Sequence, residues 1–281
     1  MIRMLDLQII GKCNLKCKFC CGAPKNIIEQ PFYVVKKVID KLKVINIERI
    51  VITGGEPLIY PDIDEVIKYI YDCGIEIYLS TNAYFLDKHF ETIIKYVSCI
   101  GIPLDGSNSS ICSEMTRKGD QLSVTISAIN KIKSANPKIK VKIGTVVSKI
   151  NIDDLQNIKE ILCNNNYIPD VWRLYEFSPL GDGKINRRQF EIKTKDFIEA
   201  TDRLKENECP ILISTLTNED SNDAYIFIHP NMDIILLTND EYKKVGNATE
   251  MSVEELENLF QNQSTILKHQ EKNRKWLNRS K

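Results

Sequence analysis

Cys13-Asn14-Leu15-Lys16-Cys17-Lys18-Phe19-Cys20 sets three thiols at C-x₃-C-x₂-C spacing directly after an apolar run. Thiolates are soft ligands that suit zinc or iron–sulfur clusters. A structural zinc ion takes four protein ligands, and an ordinary cubane cluster takes four cysteines. A trio in one tight loop therefore points to a cluster with one iron left open for another molecule. The competing reading is half a zinc site, completed by a distant Cys or His.

A second stretch bears on that choice. Thr53-Gly54-Gly55-Glu56-Pro57 follows the apolar strand Ile50-Val51-Ile52. Paired glycines let backbone come close to a ligand with no Cβ in the way, and a carboxylate accepts hydrogen bonds from an ammonium. The two stretches together resemble the CxxxCxxC and GGE(P) motifs of the radical S-adenosylmethionine (SAM) superfamily. The resemblance implies a [4Fe–4S] cluster on Cys13, Cys17 and Cys20, with the amino and carboxylate groups of SAM on the fourth iron. It implies reductive cleavage of SAM to methionine and a 5′-deoxyadenosyl radical that takes hydrogen from a substrate. It further implies a flavodoxin- or ferredoxin-type reductant.

Outward from the loop, strand and helix patterns alternate. Strands are read over 5–10, 49–53, 76–80, 100–104, 141–147 and 171–177. Helices are read over 33–45, 88–96 and 124–134, with capping boxes at Asp62/Glu65 and Asp153/Gln156 opening two more. This alternation implies a parallel sheet with right-handed crossovers. Six such units give a partial (β/α)₆ TIM barrel with a C-terminal α+β extension, the architecture the resemblance also implies. The core is read as residues 1–180 and the cap as 181–281.

Sites in such barrels lie at the carboxyl ends of the strands. Gly54, Gly55, Glu56 and Pro57 stand after the second, Ser80 and Asn82 after the third, and Asp105 after the fourth. By the resemblance these contact SAM, Glu56 taking its ammonium. Arg117, a dozen residues past the fourth strand, takes its carboxylate, as bidentate pairing favours. The bland readings are turn residues and a solvated loop charge. On the sixth strand Trp172, Leu174 and Glu176 share one face and Arg173, Tyr175 and Phe177 the other; the sequence leaves open which points inward.

Composition narrows the class. Basic and acidic residues balance at 38 each, so no global charge points to nucleic acid or an anionic membrane. No apolar run reaches the roughly 18–20 residues of a membrane span, and no signal-peptide pattern opens the chain. Nine cysteines, an odd number, argue for reduced thiols in a cytoplasmic protein. Cys21, Cys73, Cys99, Cys112, Cys163 and Cys209 read as packing or isolated residues.

The remaining third carries fewer signals. Gly181-Asp182-Gly183-Lys184 reads as a flexible rim loop. Further on come a helix over 195–207, a short run 211–216, a hairpin of 225–229 with 233–237, a Ser252/Glu255 capping box and a basic tail from Lys268. No later C-x₂-C pair marks an auxiliary cluster. The compact layout is similar to viperin-type nucleotide enzymes, so a small nucleotide or nucleoside-type substrate is expected, with Lys142, Arg173 and Lys184 as candidate phosphate partners. A peptide substrate is the alternative, and a zinc-stabilised binding module the other.

Overall fold

The computed structural model describes residues 3–22, 24–206 and 210–262. The first strand, β1 (Met4–Ile10), leads through the cysteine loop to helix α1 (Phe32–Val44). Then follow β2 (Arg49–Gly54), α2 (Ile63–Asp72), β3 (Glu76–Ser80), α3 (Phe90–Tyr96) and β4 (Cys99–Pro103). Two helices, α4 (Ser109–Glu114) and α5 (Gln121–Ala135), precede β5 (Lys140–Val147), and α6 (Leu155–Cys163) precedes β6 (Val171–Glu176). These six strands pair in parallel in sequence order, the partial α/β barrel expected from the alternation.

The helices earn their places by burial. On α2, Ile63, Val66, Ile67 and Ile70 recur at helical spacing and are fully buried, at roughly 1.5–3 kcal/mol per side chain. Gly74, at φ +75°, stops that helix as the ordinary left-handed terminator. Neither expected capping box at this level forms. Asp62 has φ −104° and ψ 32° and makes no side-chain cap bond. At the α6 entrance a 3₁₀ turn places Asp154, not Asp153, at the cap, and Asp154 turns away to accept from the Ser107 amide and hydroxyl at 2.7 and 2.6 Å.

The last third extends the same sheet at both edges. Short helices α7 (Asp182–Ile185) and α8 (Arg187–Phe190), then α9 (Thr194–Arg203), lead to β7 (Leu212–Leu216), parallel to β6. After α10 (Asn218–Ser221), β8 (Ile226–Ile228) lies parallel to β1, with β9 (Asp233–Thr238) and β10 (Glu241–Asn247) antiparallel beyond it. The order is β10-β9-β8-β1-β2-β3-β4-β5-β6-β7. Helix α11 (Val253–Asn262) closes the described chain, and here the Ser252/Glu255 capping box is complete in both directions. The segment at 181–184, expected to be a flexible loop, is the start of α7 packed on the cysteine loop. Cys163 is disulfide-bonded, so it is not the isolated thiol the sequence suggested. Cys209 and the basic tail lie outside the described residues.

The sheet curls. Between β1 and β5 stand three strands, a separation of roughly 19 Å if flat, yet the Lys142 ammonium on β5 lowers the pKa of Asp6 on β1. Tyr225, just before β8, likewise feels Arg173 and Tyr175 of β6. The outer faces pack under helices: Trp172 and Leu174 are fully buried in the main core. Arg173, Tyr175 and Phe177 therefore point inward, which answers the question left open for strand six. Some inward positions are reached by water, while Arg173 and Phe177 stay buried. Along β5, Lys140, Lys142, Gly144 and Val146 are partly exposed, and every residue between them is buried. Asp6, Val51, Thr53 and Tyr175 are partly exposed in the same way. Water thus reaches part of the barrel's inward face.

Candidate active site

The cysteine loop sits over the carboxyl ends of β1 and β2. Alternation within it buries Leu15, Cys17 and Phe19 and exposes Lys16 and Lys18. The buried set packs with Met115, Phe177 and Phe190 in a small apolar cluster that Cys13 and Cys20 flank. Each sulfur receives at least one N–H: Leu15 donates to Cys13 at 3.3 Å, Gly22 to Cys20 at 3.3 Å, and Arg117 Nη1 to Cys17 at 3.4 Å. Burial pushes the Cys13 and Cys17 thiols above their usual pKa, while Arg117 pulls Cys17 back. Such donors suit sulfurs that carry negative charge. Among the described residues no three His, Cys, Asp or Glu converge on one metal ion, as a zinc site would require. Cluster ligands each hold a different iron and need no such convergence. The three soft thiolates fit a cluster held at three of its irons.

The two glycines hold this loop directly. Gly54 has φ +145°, and a Cβ there would lie 2.4 Å from the Ile10 carbonyl oxygen. At Gly55 a Cβ would lie 2.1 Å from Lys12 O. The Gly55 and Glu56 amides donate to Ile10 O and Lys12 O at 2.6 and 2.9 Å. What the glycines let come close is the cysteine loop itself.

Glu56 is fully buried. Its Oε1 accepts from Thr81 Oγ1 at 2.6 Å and Leu58 N at 3.0 Å, and its Oε2 from Asn82 N at 2.7 Å. Burial raises its pKa against those three bonds, which lower it. Pro57 is buried at the first position of a 3₁₀ turn over Pro57–Ile59. Asn82 continues the brace: its Nδ2 donates to Asn14 Oδ1 at 2.7 Å and reaches Cys13 Sγ at 3.8 Å. Ser80 ends β3 on the inward, partly exposed face. The carboxylate expected to meet an ammonium thus ties the β3 turn to the cysteine loop. Thr81, which sequence reasoning passed over, is the partner that makes this visible.

Asp105 and Arg117 meet as a pair. Asp105 is fully buried; its Oδ1 accepts from Val146 N and its Oδ2 from Arg117 Nε, both at 2.7 Å. Arg117 also lies over the Phe19 ring at 4.9 Å. Burial works to lower its pKa, but the charges of Asp105 and Cys17 more than offset that and raise it. The preceding Thr116 sits at φ +59° past the end of α4, a rare conformation for a β-branched residue. Its Oγ1 accepts from the Lys18 amide at 2.8 Å, so the strained turn grips the cysteine loop.

The last third grips it from the other side. Asp182 N donates to Cys20 O at 2.9 Å, Asn186 Nδ2 to Lys18 O at 3.0 Å, and Tyr242 Oη of β10 to Cys21 O at 2.6 Å. Lys25 and Asp182 form an ion pair. Lys184 is exposed on α7. Below the loop the barrel's inward face is polar. Lys142 Nζ stands 3.3 Å from Tyr175 Oη, Arg173 lies over the Tyr175 ring at 5.7 Å, and burial lifts Asp6 to about 7 despite Lys142. Gln8 is 5% exposed, and its Oε1 has no hydrogen-bond partner. The sequence offered a faint signal for these, polar residues at alternate positions of otherwise apolar strands.

A parallel barrel with a three-thiol loop over its carboxyl-end mouth defines a cluster-bearing α/β-barrel protein. A family model described as the radical SAM superfamily matches residues 7–162, and the chain belongs to that superfamily, whose cofactors are a [4Fe–4S] cluster and SAM. It is 28% identical over 210 residues to a GTP 3′,8-cyclase of Clostridium botulinum, covering 70% of this chain. The match takes in 63% of that relative's length. It is 25% identical over 259 residues to an S-adenosylmethionine-dependent nucleotide dehydratase of Selenomonas ruminantium, covering 86% of this chain and 89% of that one. Among solved structures, Streptococcus suis SuiB bound to precursor peptide SuiA shares the fold, with TM-score 0.70 and 17% identity over 92% of this chain and 64% of that one.

Proposed function

We propose that this chain is a radical SAM enzyme acting on a nucleotide-type substrate held against the barrel's inward face. The cluster and SAM, when bound, supply a one-electron cleavage that yields methionine and a 5′-deoxyadenosyl radical able to take a hydrogen atom from the substrate. Cys13, Cys17 and Cys20 would hold the cluster, and Ser80 and Asn82, at the end of β3, would face SAM. The chain's own part is to place one substrate C–H beside the reacting carbon and keep water out. A flavodoxin- or ferredoxin-type donor and a cytoplasmic setting complete the proposal. Residues 181–281 act in it as the cap over the 1–180 core.

The observation that carries it is the charged and polar inward face of the barrel. Lys142 and Arg173 bring cations to an inward face that also presents Asp6, Gln8 and Tyr175. A desolvated phosphate needs such cationic or N–H partners. The names of the two curated relatives, both nucleotide-acting, support the same class. Among the described residues no helix is long and apolar enough to cross a membrane.

The test incubates reduced, cluster-loaded protein and SAM with deuterated nucleotides, nucleosides and peptides. Deuterium is expected in 5′-deoxyadenosine from a nucleotide. The paired variants Lys142→Gln and Arg173→Gln should each raise its KM roughly tenfold to a hundredfold, the worth of a charge-assisted hydrogen bond. Transfer from a peptide alone would overturn the nucleotide reading.

A further inference from the structure

We infer that Arg117 is a positioning residue for the cluster, acting through Cys17: its guanidinium hydrogen-bonds the ligand sulfur and raises the cluster's reduction potential. The inference rests on the reading above that Cys17 is a cluster ligand. Arg117 is expected at the carboxylate of SAM, and the contacts of Nε and Nη1 give the same side chain a second role. Nε is bound to Asp105 at 2.7 Å, Nη1 points at Cys17 Sγ at 3.4 Å, and the plane lies over Phe19.

The mounting is rigid. Asp105 is itself held by the Val146 amide through its carboxylate and by Asn151 Nδ2 through its carbonyl at 3.0 Å. Thr116 fixes the backbone just before Arg117 and is tied to Lys18, the residue after Cys17. Reduction adds negative charge to a cluster, so a cation and an N–H donor at a ligand sulfur stabilise the reduced form more than the oxidised one. Asp105 lies on the Nε side, and the donor hydrogen on Nη1 faces the sulfur.

The test is potentiometry of the reconstituted cluster without SAM, with iron and sulfide counted in every variant. Arg117→Gln should keep its iron and show about tenfold less reduced cluster at a fixed potential, a downward shift of about 59 mV for one electron. Arg117→Lys, which keeps charge but loses the planar fork, should fall between. If Arg117→Gln does not retain the cluster, Arg117→Lys carries the comparison. Unchanged midpoints in loaded variants overturn the inference, and a lowered SAM affinity with unchanged midpoints returns Arg117 to the SAM carboxylate. A wild-type protein that takes up no iron would instead defeat the cluster assignment.

Discussion

Replacing Glu56 with alanine should destabilise the protein before it alters any ligand. The substitution strips a carboxylate from three buried donors, the Thr81 hydroxyl and the amides of Leu58 and Asn82. An orphaned buried donor costs about 1–3 kcal/mol. Partial relaxation of the Thr81 hydroxyl reduces the sum, so a loss of about 3–5 kcal/mol is expected, against about 5–15 kcal/mol for a whole domain. Glu56→Gln should cost about 2–3 kcal/mol, because one amide end turns an N–H toward an N–H. The assay is urea unfolding of the apoprotein under anaerobic, reducing conditions, with iron loading measured separately. The loosened turn should also lower cluster retention, since Asn82 links it to Asn14 and Cys13. Unfolding within 1 kcal/mol of wild type, with full cluster loading and weakened SAM binding, would refute this reasoning and restore Glu56 as an ammonium ligand.

Two further outcomes follow from the site. Reconstituted protein should carry about four irons and four sulfides; alanine at Cys13, Cys17 or Cys20 should abolish loading and Cys21→Ala should not, and a count near eight irons would reveal a second cluster. Asp6, whose folded pKa is raised to about 7 by burial, binds its proton more readily folded than unfolded. Stability should therefore fall as pH rises from about 4 to 7 and level off above. At pH 8 Asp6→Asn should then be the more stable protein, by roughly 1–3 kcal/mol after discounting for water at the barrel's inward face. Identical pH profiles for the two proteins would show that Asp6 is solvated.

The barrel core was legible because its signals are local. Outward Ile, Leu and Val at period two, helical faces at period 3.6 and Gly74 at a helix end all act within a few residues. The braces of the site were not, because their partners are distant: Thr81 is 25 residues from Glu56, and Tyr242 is 221 from Cys21. The capping boxes show the same limit. Ser252/Glu255 forms where nothing competes, while Asp154 at the α6 entrance is drawn to Ser107, 47 residues upstream. Strand β7, with Ser214 and Thr215 in its middle, gains its place from the open edge of β6.

Thr116 bears on how this protein could change. At φ +59° glycine would sit without strain, so drift or design toward a sturdier fold favours Gly there. That exchange deletes the hydroxyl that receives the Lys18 amide, and the peptide between Cys17 and Cys20 loses its anchor on the Arg117 side. Thermal robustness and metal-site geometry are opposed at a single backbone torsion. A lineage that raises its melting temperature through glycine at this residue lets the cysteine loop slacken.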